Sequence, residues 1–401
     1  MRGLLPRMNK RTPTGSLSLA TSPFQGEERK CGARLRHICF VICLLLAGAS
    51  VAPAAGPFIL QPFRVLLGAD FGGLEALLVR PSDPGRYPLA LLAHGSPRNG
   101  ADRVAMTPLA MLPQALEFAR RGWAAAVVMR RGYGNSDGGW AENYGSCNDA
   151  NYVAATAAGA ADLKLALDFI SHRQDIDPAR MIAVGVSAGG FDTVALTADP
   201  PPGLVAAISF AGGRGSPQDD QVCRPDRLVE AFRTFGKRSR VPMLWVYAEN
   251  DRFFSPALAK QFDAAFTGAG GHAELVIAPA FGSNGHFLFS PPGIPDWTPY
   301  VDKFLQQQNL TVRATPLALP PPTISAPKIL GPNGQKAFAN FLIEAPHKAF
   351  AMAPDGTFGF QIGMRTVEAA KASALKYCQQ AGKSCSIAFV DDEAVGGPAA
   401  R

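Results

Sequence analysis

The stretch Ala183-Val184-Gly185-Val186-Ser187-Ala188-Gly189-Gly190 lies between an apolar β-type run, Arg180 to Val184, and an Ala-rich helical run, Phe191 to Ala198. A G-x-S-x-G placed between strand and helix is a nucleophile elbow: glycines remove the Cβ atoms that would collide in a tight turn, and the serine hydroxyl stands clear of the sheet edge. Ser187 is that serine. Ala188 follows it at the helix N-terminus, where free N–H groups point towards any negative charge that develops nearby. The same five residues can also be an ordinary Gly-rich turn, so the rest of the chain decides.

Working outward, the flanking sequence repeats one unit. Tyr87 to Ala93 is continuously apolar and closes in His94-Gly95-Ser96, as a parallel strand buried on both faces does. Thr107-Pro108 gives an N-cap and a first-position proline to a helix carried by Leu109, Leu112, Leu116 and Phe118 to Arg121. Trp123 to Met129 is the next strand, ending in the glycine-rich Arg130-Arg131-Gly132-Tyr133-Gly134-Asn135-Ser136-Asp137-Gly138. Leu163, Leu167 and Ile170 mark one face of a helix before the elbow strand. After the elbow come strands Leu204 to Phe210, Pro242 to Ala248 and Ala273 to Ala278, with helices over Asp226 to Phe235, after Ser255-Pro256, and from Thr298-Pro299. Upstream, Phe63 to Leu67 and Leu74 to Arg80 read as a hairpin around Gly68 to Gly73. Strands alternating with helices through short loops predict an α/β fold, a parallel sheet wrapped on both faces. Its chemistry belongs in the loops beyond the carboxyl ends of the strands.

Both ends of the chain differ from this pattern. Residues 1–54 carry eight Lys/Arg against two acidic residues, an apolar run from Ile38 to Leu46, and small residues ending Ala52-Pro53-Ala54. That is the build of a secretory signal peptide cleaved after Ala54, its apolar run too short for a permanent span. Its basic region is longer than such signals usually have, which leaves the true start codon open. Periplasmic or secreted localisation follows, with no integral membrane span after signal removal. Without the leader the formal charge falls from +7 to about +1, and no nucleic-acid partner is implied. Cys31, Cys39 and Cys43 leave with the leader. Cys147, Cys223, Cys378 and Cys385 remain, an even number suited to two disulfides in three possible pairings. Pairing Cys147 with Cys223 and Cys378 with Cys385 keeps each bridge within one domain. No zinc site is expected, since no C-x-x-C or nearby histidine pair exists.

The main body, 55–308, gives way at 309–333 to a stiff Pro-rich linker containing Leu317-Ala318-Leu319-Pro320-Pro321-Pro322. Residues 334–401 read as a small α+β domain. Asp355-Gly356 is a hairpin turn, Phe358, Phe360 and Ile362 alternate as a strand, and Val367, Ala370, Ala374 and Cys378 share a helix face. Ser386 to Val390 is its last strand.

A serine hydroxyl needs a base to take its proton, and the base needs a third group to hold its tautomer. In this topology the partners follow in the order serine, acid, histidine. Asp251, just past the strand Pro242 to Ala248, fits the acid; Glu249 is its rival. His286 in Phe281-Gly282-Ser283-Asn284-Gly285-His286 fits the base. His37 lies in the leader, His94 precedes the serine, His172 lies near a helix end, His272 is at the wrong edge of the sheet, and His347 is in the other domain. Backbone N–H groups of Ala188 and Ser96 suit an oxyanion hole. Tyr133 and Trp140 are candidate substrate-binding residues, with Tyr144 and with Phe253 and Phe254 beside Asp251, and the same aromatics are equally candidates for packing; Arg98 and Arg103 hint at an anionic substrate.

Together His94-Gly95-Ser96, the Arg131 to Gly138 loop, Gly185-Val186-Ser187-Ala188-Gly189, Asp251 and His286 resemble the α/β-hydrolase superfamily, most closely its dienelactone-hydrolase-like members, over about residues 60 to 308. The resemblance implies a mainly parallel eight-stranded sheet and a serine hydrolase with no cofactor, acting on a small-molecule ester. The chain departs from dienelactone hydrolases proper in its serine nucleophile, export signal and appended domain. Two other readings compete. A prolyl-oligopeptidase-like peptidase shares elbow and triad order, but there is no room for a gating domain between Ala55 and His94. A non-catalytic binding protein on a hydrolase scaffold has no need of all three triad residues. The partner of the terminal domain is not indicated by its sequence.

Overall fold

The computed structural model describes residues 56–66 and 72–395; the expected leader with its three cysteines, residues 67–71 of the expected hairpin turn and the last six residues lie outside them. Eight strands form one sheet: β1 (Phe58–Leu66), β2 (Gly73–Pro81), β3 (Tyr87–Ala93), β4 (Ala124–Val128), β5 (Ile176–Val186), β6 (Leu204–Phe210), β7 (Met243–Ala248) and β8 (Ala273–Ala278). Their order is β1-β2-β4-β3-β5-β6-β7-β8. The β1–β2 and β2–β4 pairs are antiparallel, and all pairs from β4–β3 to β7–β8 are parallel. The expected α/β architecture is therefore present, its sheet mainly parallel.

Helices cover both faces. Side chains alternate along each strand, so Met181 and Ala183 of β5 face one core while Ile182 and Val184 face the other. The first core is closed by α2 (Tyr152–Ser171), α3 (Ala188–Leu196), α4 (Pro225–Gly236) and α5 (Pro256–Thr267), through residues such as Leu163, Phe191, Phe232 and Phe262. The second is closed by α1 (Leu112–Arg120) and α6 (Ile294–Gln307), through Phe118, Trp297 and Phe304. Ser255 caps α5, its hydroxyl accepting from Leu258 N at 3.3 Å.

Several elements differ from the sequence reading. Strand β1 starts five residues earlier than Phe63, running through Pro62, which pairs with Leu77. Proline cannot donate to a ladder, and a strand at the sheet edge is where it is tolerated. Helix α6 begins at Ile294, not at Thr298-Pro299. A 3₁₀ turn over Pro291–Gly293 leads into it, and Pro299 lies inside the helix. Thr298 is not its cap: the hydroxyl donates back to Ile294 O at 2.8 Å. Helix α3 starts directly after Ser187, with Ala188 at its N-terminus as expected, and ends at Leu196, two residues short of Ala198.

Within residues 309–331, Leu317 is tied to the end of α1, its N donating to Arg120 O and its O accepting from Arg120 Nε, while Ile324, Ala326 and Leu330 pack in the C-terminal core. The small domain opens with a helix that the sequence reading does not include. Helix α7 (Pro332–Ile343) opens with a proline at a position that needs no N–H donor. It packs Phe338 and Phe341 against one face of a four-stranded antiparallel sheet, β10-β9-β11-β12, made of β9 (Ala349–Met352), β10 (Phe358–Gln361), β11 (Ser386–Val390) and β12 (Glu393–Ala394). Ala370, Ala374 and Cys378 of α8 (Val367–Gln379) pack on Ala349 and Ala351 of the other face. Buried Lys348 donates to Leu342 O and Glu344 O, satisfying carbonyls at the end of α7.

Two disulfides are formed, Cys147–Cys223 and Cys378–Cys385, the pairs expected. The first spans 76 residues of sequence, so in the chain-entropy account it removes much freedom from the unfolded state. Replacing Cys147 and Cys223 together by serine should lower the unfolding free energy by about 4 kcal/mol. Urea unfolding of oxidised wild type against the double variant measures this, and coincident midpoints would contradict it.

Candidate active site

The elbow comes first, because its backbone fixes everything attached to it. Ser187 sits at φ 55°, ψ −121°, a strained region for a residue with a side chain, of the kind that clusters at functional sites. The conformation is held by Ser187 N donating to Phe210 O at 2.9 Å and Gly213 N donating to Ser187 O at 3.1 Å. A Cβ on Gly185 would run into the Gly189 carbonyl, and one on Gly189 into the carbonyls of Ala93 and His94. Both glycines are therefore required by close backbone approach, not by flexibility.

The loop after β7 and the loop after β8 meet this serine. His286 Nε2 lies 3.0 Å from Ser187 Oγ, and His286 Nδ1 lies 3.2 Å from Asp251 Oδ2. The second oxygen of Asp251 accepts from Phe253 N at 2.7 Å and Phe254 N at 2.9 Å. Nδ1–H thus donates to Asp251, which leaves the Nε2 lone pair facing the serine hydroxyl. Glu249, the rival acid, is exposed. Phe253 stacks on His286 with ring centres 3.8 Å apart and planes 8° from parallel, and the Arg98 guanidinium covers the other face of Phe253 at 3.6 Å. Asn284 and Asn250 lace the two loops together. Asn284 Oδ1 accepts from His286 N and Arg252 N, and Asn250 Oδ1 accepts from Phe281 N. Neither asparagine stands out in the sequence; an Asn adjoining each of Asp251 and Gly285 is the available signal.

Gly95 lies against Ser187, so a Cβ there would be 3.2 Å from the Ser187 Cβ. This brings Ser96 and Ala188 to the wall of one cleft of about 220 Å³ with Ser187. Among the described residues neither the Ser96 nor the Ala188 N–H has a hydrogen-bond partner. Trp140 lines this cleft, with Tyr144 and Phe254. Tyr133 does not. It is fully buried, its hydroxyl 2.9 Å from both Ser96 Oγ and Glu142 Oε2 and accepting from Trp140 Nε1. Its aromatic bulk and buried neighbours make it a support behind Ser96, which corrects the expectation that it binds substrate. Arg98, Arg103 and Arg214 also line the cleft, and no carboxylate does. Arg98 is shared with Asp219 at 2.8 Å, whereas Arg103 lies over the Trp140 ring at 4.0 Å. A larger hollow, about 730 Å³ between Trp123 and the 302–316 segment, is at the amino ends of the strands and away from these groups.

Behind the cleft four charges are buried together. Arg130 binds Glu142 and Asp192, and Arg214 binds Glu142 at 2.7 Å and Asp192 at 3.1 Å. Burial pushes both acids up; at Glu142 the two arginines overcome it and hold the carboxyl well below its usual range. Asp192, deeper and beside Glu142, is pushed up to about 7. Arg130 also donates to His94 O at 2.8 Å, and its N–H donates to His94 Nε2 at 3.1 Å. His94 Nδ1 faces Gly95 O at 2.6 Å. Burial, with Arg130 nearby, holds His94 down to about 3, so it is a neutral strut for the Gly95-Ser96 loop and not a base.

Strand order and elbow give the chain an α/β-hydrolase fold, with Ser187, Asp251 and His286 following one another in the order serine, acid, histidine. A family model, X-Pro dipeptidyl-peptidase (S15 family), matches residues 72–237. That is less than half of the chain; it includes Ser187 and stops before Asp251 and His286. Among solved structures, a candidate dienelactone hydrolase from Klebsiella pneumoniae subsp. pneumoniae MGH 78578 is 16% identical over 62% of this chain and 99% of that one, with a TM-score of 0.44. Esterase 2 of Thermogutta terrifontis, phosphorylated by paraoxon, is 18% identical over 63% and 96%, with a TM-score of 0.45. Its butyrate-bound form gives 18%, 63% and 95%, with a TM-score of 0.43. No protein with a curated description matches the chain.

His94 gives a pH test. Its folded value is below the ordinary 6.5, so its contribution to stability is full above about pH 6.5 and is lost as pH falls towards about 3. In His94→Gln the slope of unfolding free energy against pH between 4 and 6 should flatten by up to ~1.4 kcal/mol per pH unit. Groups common to both proteins cancel in that difference, and identical slopes from urea titrations would contradict the assignment.

Proposed function

We propose that the protein is an exported serine hydrolase that cleaves a small or medium carboxylic ester through an acyl-enzyme on Ser187. The observation that carries this reading is the continuous contact Ser187 Oγ, His286 Nε2, His286 Nδ1, Asp251 Oδ2, at 3.0 and 3.2 Å. As Ser187 Oγ bonds to the ester carbon, its proton passes to His286 Nε2, and Asp251 holds the resulting imidazolium. The carbonyl oxygen, now negative, is received by the N–H groups of Ala188 and Ser96. Collapse expels the alcohol, which takes the proton from His286. Water then repeats the sequence on the acyl-enzyme, releasing the acid and restoring Ser187. No cofactor is used in any step.

The short connection from Ala211 to Pro225, tied down at Cys223 by its disulfide, supports a modest substrate over a long-chain lipid, which would call for a sizeable lid. The two disulfides suit an oxidising compartment, in keeping with the leader. Among the described residues no helix is long and apolar enough to cross a membrane. The peptidase reading gains from the family match, but a dipeptidyl-peptidase must receive the cationic amino terminus of a peptide, and no carboxylate lines the cleft, where, among the described residues, Arg103 stands without an acidic partner while Arg98 and Arg214 are paired with acids outside the lining. The same lining favours an ester that carries an anionic group, since like charge is excluded and opposite charge concentrated in such a cleft.

Wild type should label with a fluorophosphonate and hydrolyse p-nitrophenyl butyrate, and Ser187→Ala should lose on the order of 10⁶ in kcat. Preferential release of p-nitroaniline from Ala-Pro-p-nitroanilide would overturn the ester reading in favour of the peptidase. The charge argument is tested separately. The p-nitrophenyl half-ester of succinate should exceed the butyrate ester in kcat/KM by about tenfold at low salt, the margin shrinking as salt screens it. Arg103→Gln should remove most of the preference. Equal rates for the two esters at all salt concentrations would contradict it.

A further inference from the structure

The small C-terminal sheet with α7 and α8 touches the hydrolase body at places that bear on the cleft. Arg365 precedes α8 and reaches across to Glu75 of β2 with a two-pronged contact, Nη1 to Oε1 and Nη2 to Oε2, both 3.0 Å. Its Nη2 also donates to the carbonyl of Met106. Glu75 Oε2 in turn accepts from Asn135 N at 2.8 Å, and Arg103 O accepts from Gly134 N at 2.8 Å. Gly134 is clasped so closely that a Cβ there would lie 2.7 Å from Arg365 Nη2, Glu75 Oε2 and Met106 O alike. Two loops thus meet on one guanidinium. One, residues 99–106, carries Arg103; the other, residues 130–142, carries Trp140; and those two side chains stack on each other in the wall of the Ser187 cleft. On a second side α7 abuts the turn Pro291–Gly293, a few residues beyond His286.

We propose that Arg365 is a positioning residue for the substrate cleft, and that the C-terminal module serves the hydrolase body by fixing the Arg103–Trp140 wall through it. The kinetic part rests on the ester-hydrolase reading; the structural part does not. The geometry favours arginine specifically. A planar fork satisfies both Glu75 oxygens and leaves one N–H for the Met106 carbonyl, which a lysine ammonium on a flexible stem does not reproduce. Removing the fork leaves Glu75 part-buried beside Asn135 and frees Met106, so the loop that carries Arg103 loses its anchor while the elbow, braced by Phe210 and Gly213, keeps its own.

The test uses the full chain in four forms: wild type, Arg365→Gln, Trp140→Ala and the double variant, with Arg365→Lys as a milder lesion should the glutamine variant fold poorly. Hydrogen exchange followed by mass spectrometry should show faster exchange in Arg365→Gln across residues 100–106 and 131–142, with 183–191 unchanged. Michaelis kinetics on the p-nitrophenyl half-ester of succinate should show KM raised by about tenfold and kcat within about twofold, the pattern of lost binding. With Trp140→Ala already present, the same substitution should move KM by less than about twofold, because coupled residues do not add. Unchanged exchange in both loops overturns the proposal whatever the protein hydrolyses. A fall in kcat at constant KM, or effects that multiply independently of Trp140, overturns the role in the cleft. Absence of turnover in wild type itself, with the loop exchange altered as expected, sinks the ester reading and leaves the positioning role standing.

Discussion

A side chain held at positive φ between two backbone crossings is the constraint on which this molecule turns. Ser187 can occupy φ 55° only because Gly185 and Gly189 let the chain pass within contact of itself and of the β3 carboxyl end. Such a conformation costs on the order of 1–3 kcal/mol, offset here by hydrogen bonds from the flanking strands and by helix α3 starting at the next residue. In return the hydroxyl is fixed in direction before any ligand arrives, and a free N–H follows it at once. The acid and base need not be so constrained. They sit in loops joined by Asn250 and Asn284, and the ring of His286 is set by Phe253 on its face and by Asp251 on its edge.

The second layer is electrostatic. Arg130, Arg214, Glu142 and Asp192 bury two guanidinium and two carboxyl groups in mutual reach. Each alone would be costly away from water, and loss of one partner from such a set costs about 3–5 kcal/mol. They come from the end of β4, the loop beyond it, α3 and the loop after β6, so the set ties together four segments that each border the cleft. Through Arg130 and His94 the tie extends to the Ser96 loop, and through Glu142 to Tyr133. Cleft shape and the burial of these charges are therefore one problem with one solution. The Cys147–Cys223 bridge, between the Glu142 and Arg214 segments in sequence terms, closes the same assembly covalently.

How much of this could be read from sequence follows from how local each signal is. The elbow is local: five residues carry it, and Ser187 was found at once. Asp251 and His286 were legible from topology, because their order and their place after apolar strands limit the choice to few residues. Glu249, two residues before Asp251 and next to the end of its strand, is turned to solvent by the fold while Asp251 faces His286. Tyr133 stays open between pocket wall and packing in the sequence, because an aromatic in a glycine-rich loop looks the same whether it faces a ligand or lies behind the loop. The buried quartet left no trace, as an arginine at the end of a strand carries no mark of the acid it will meet. Strand β1 and helices α6 and α7 were misread around prolines at Pro62, Pro299 and Pro332, where the rule for a proline depends on edge or helix position that only the assembled structure supplies. Arg365 is the extreme case, its partner Glu75 lying 290 residues away.

The account stands or falls on a covalent bond at one oxygen. Intact mass of wild type after brief exposure to a fluorophosphonate should rise by a single adduct, and peptide mapping should place it on Ser187, with His286→Ala labelling far more slowly under the same conditions. An adduct on any other residue, or labelling that is indifferent to the loss of His286, would contradict it.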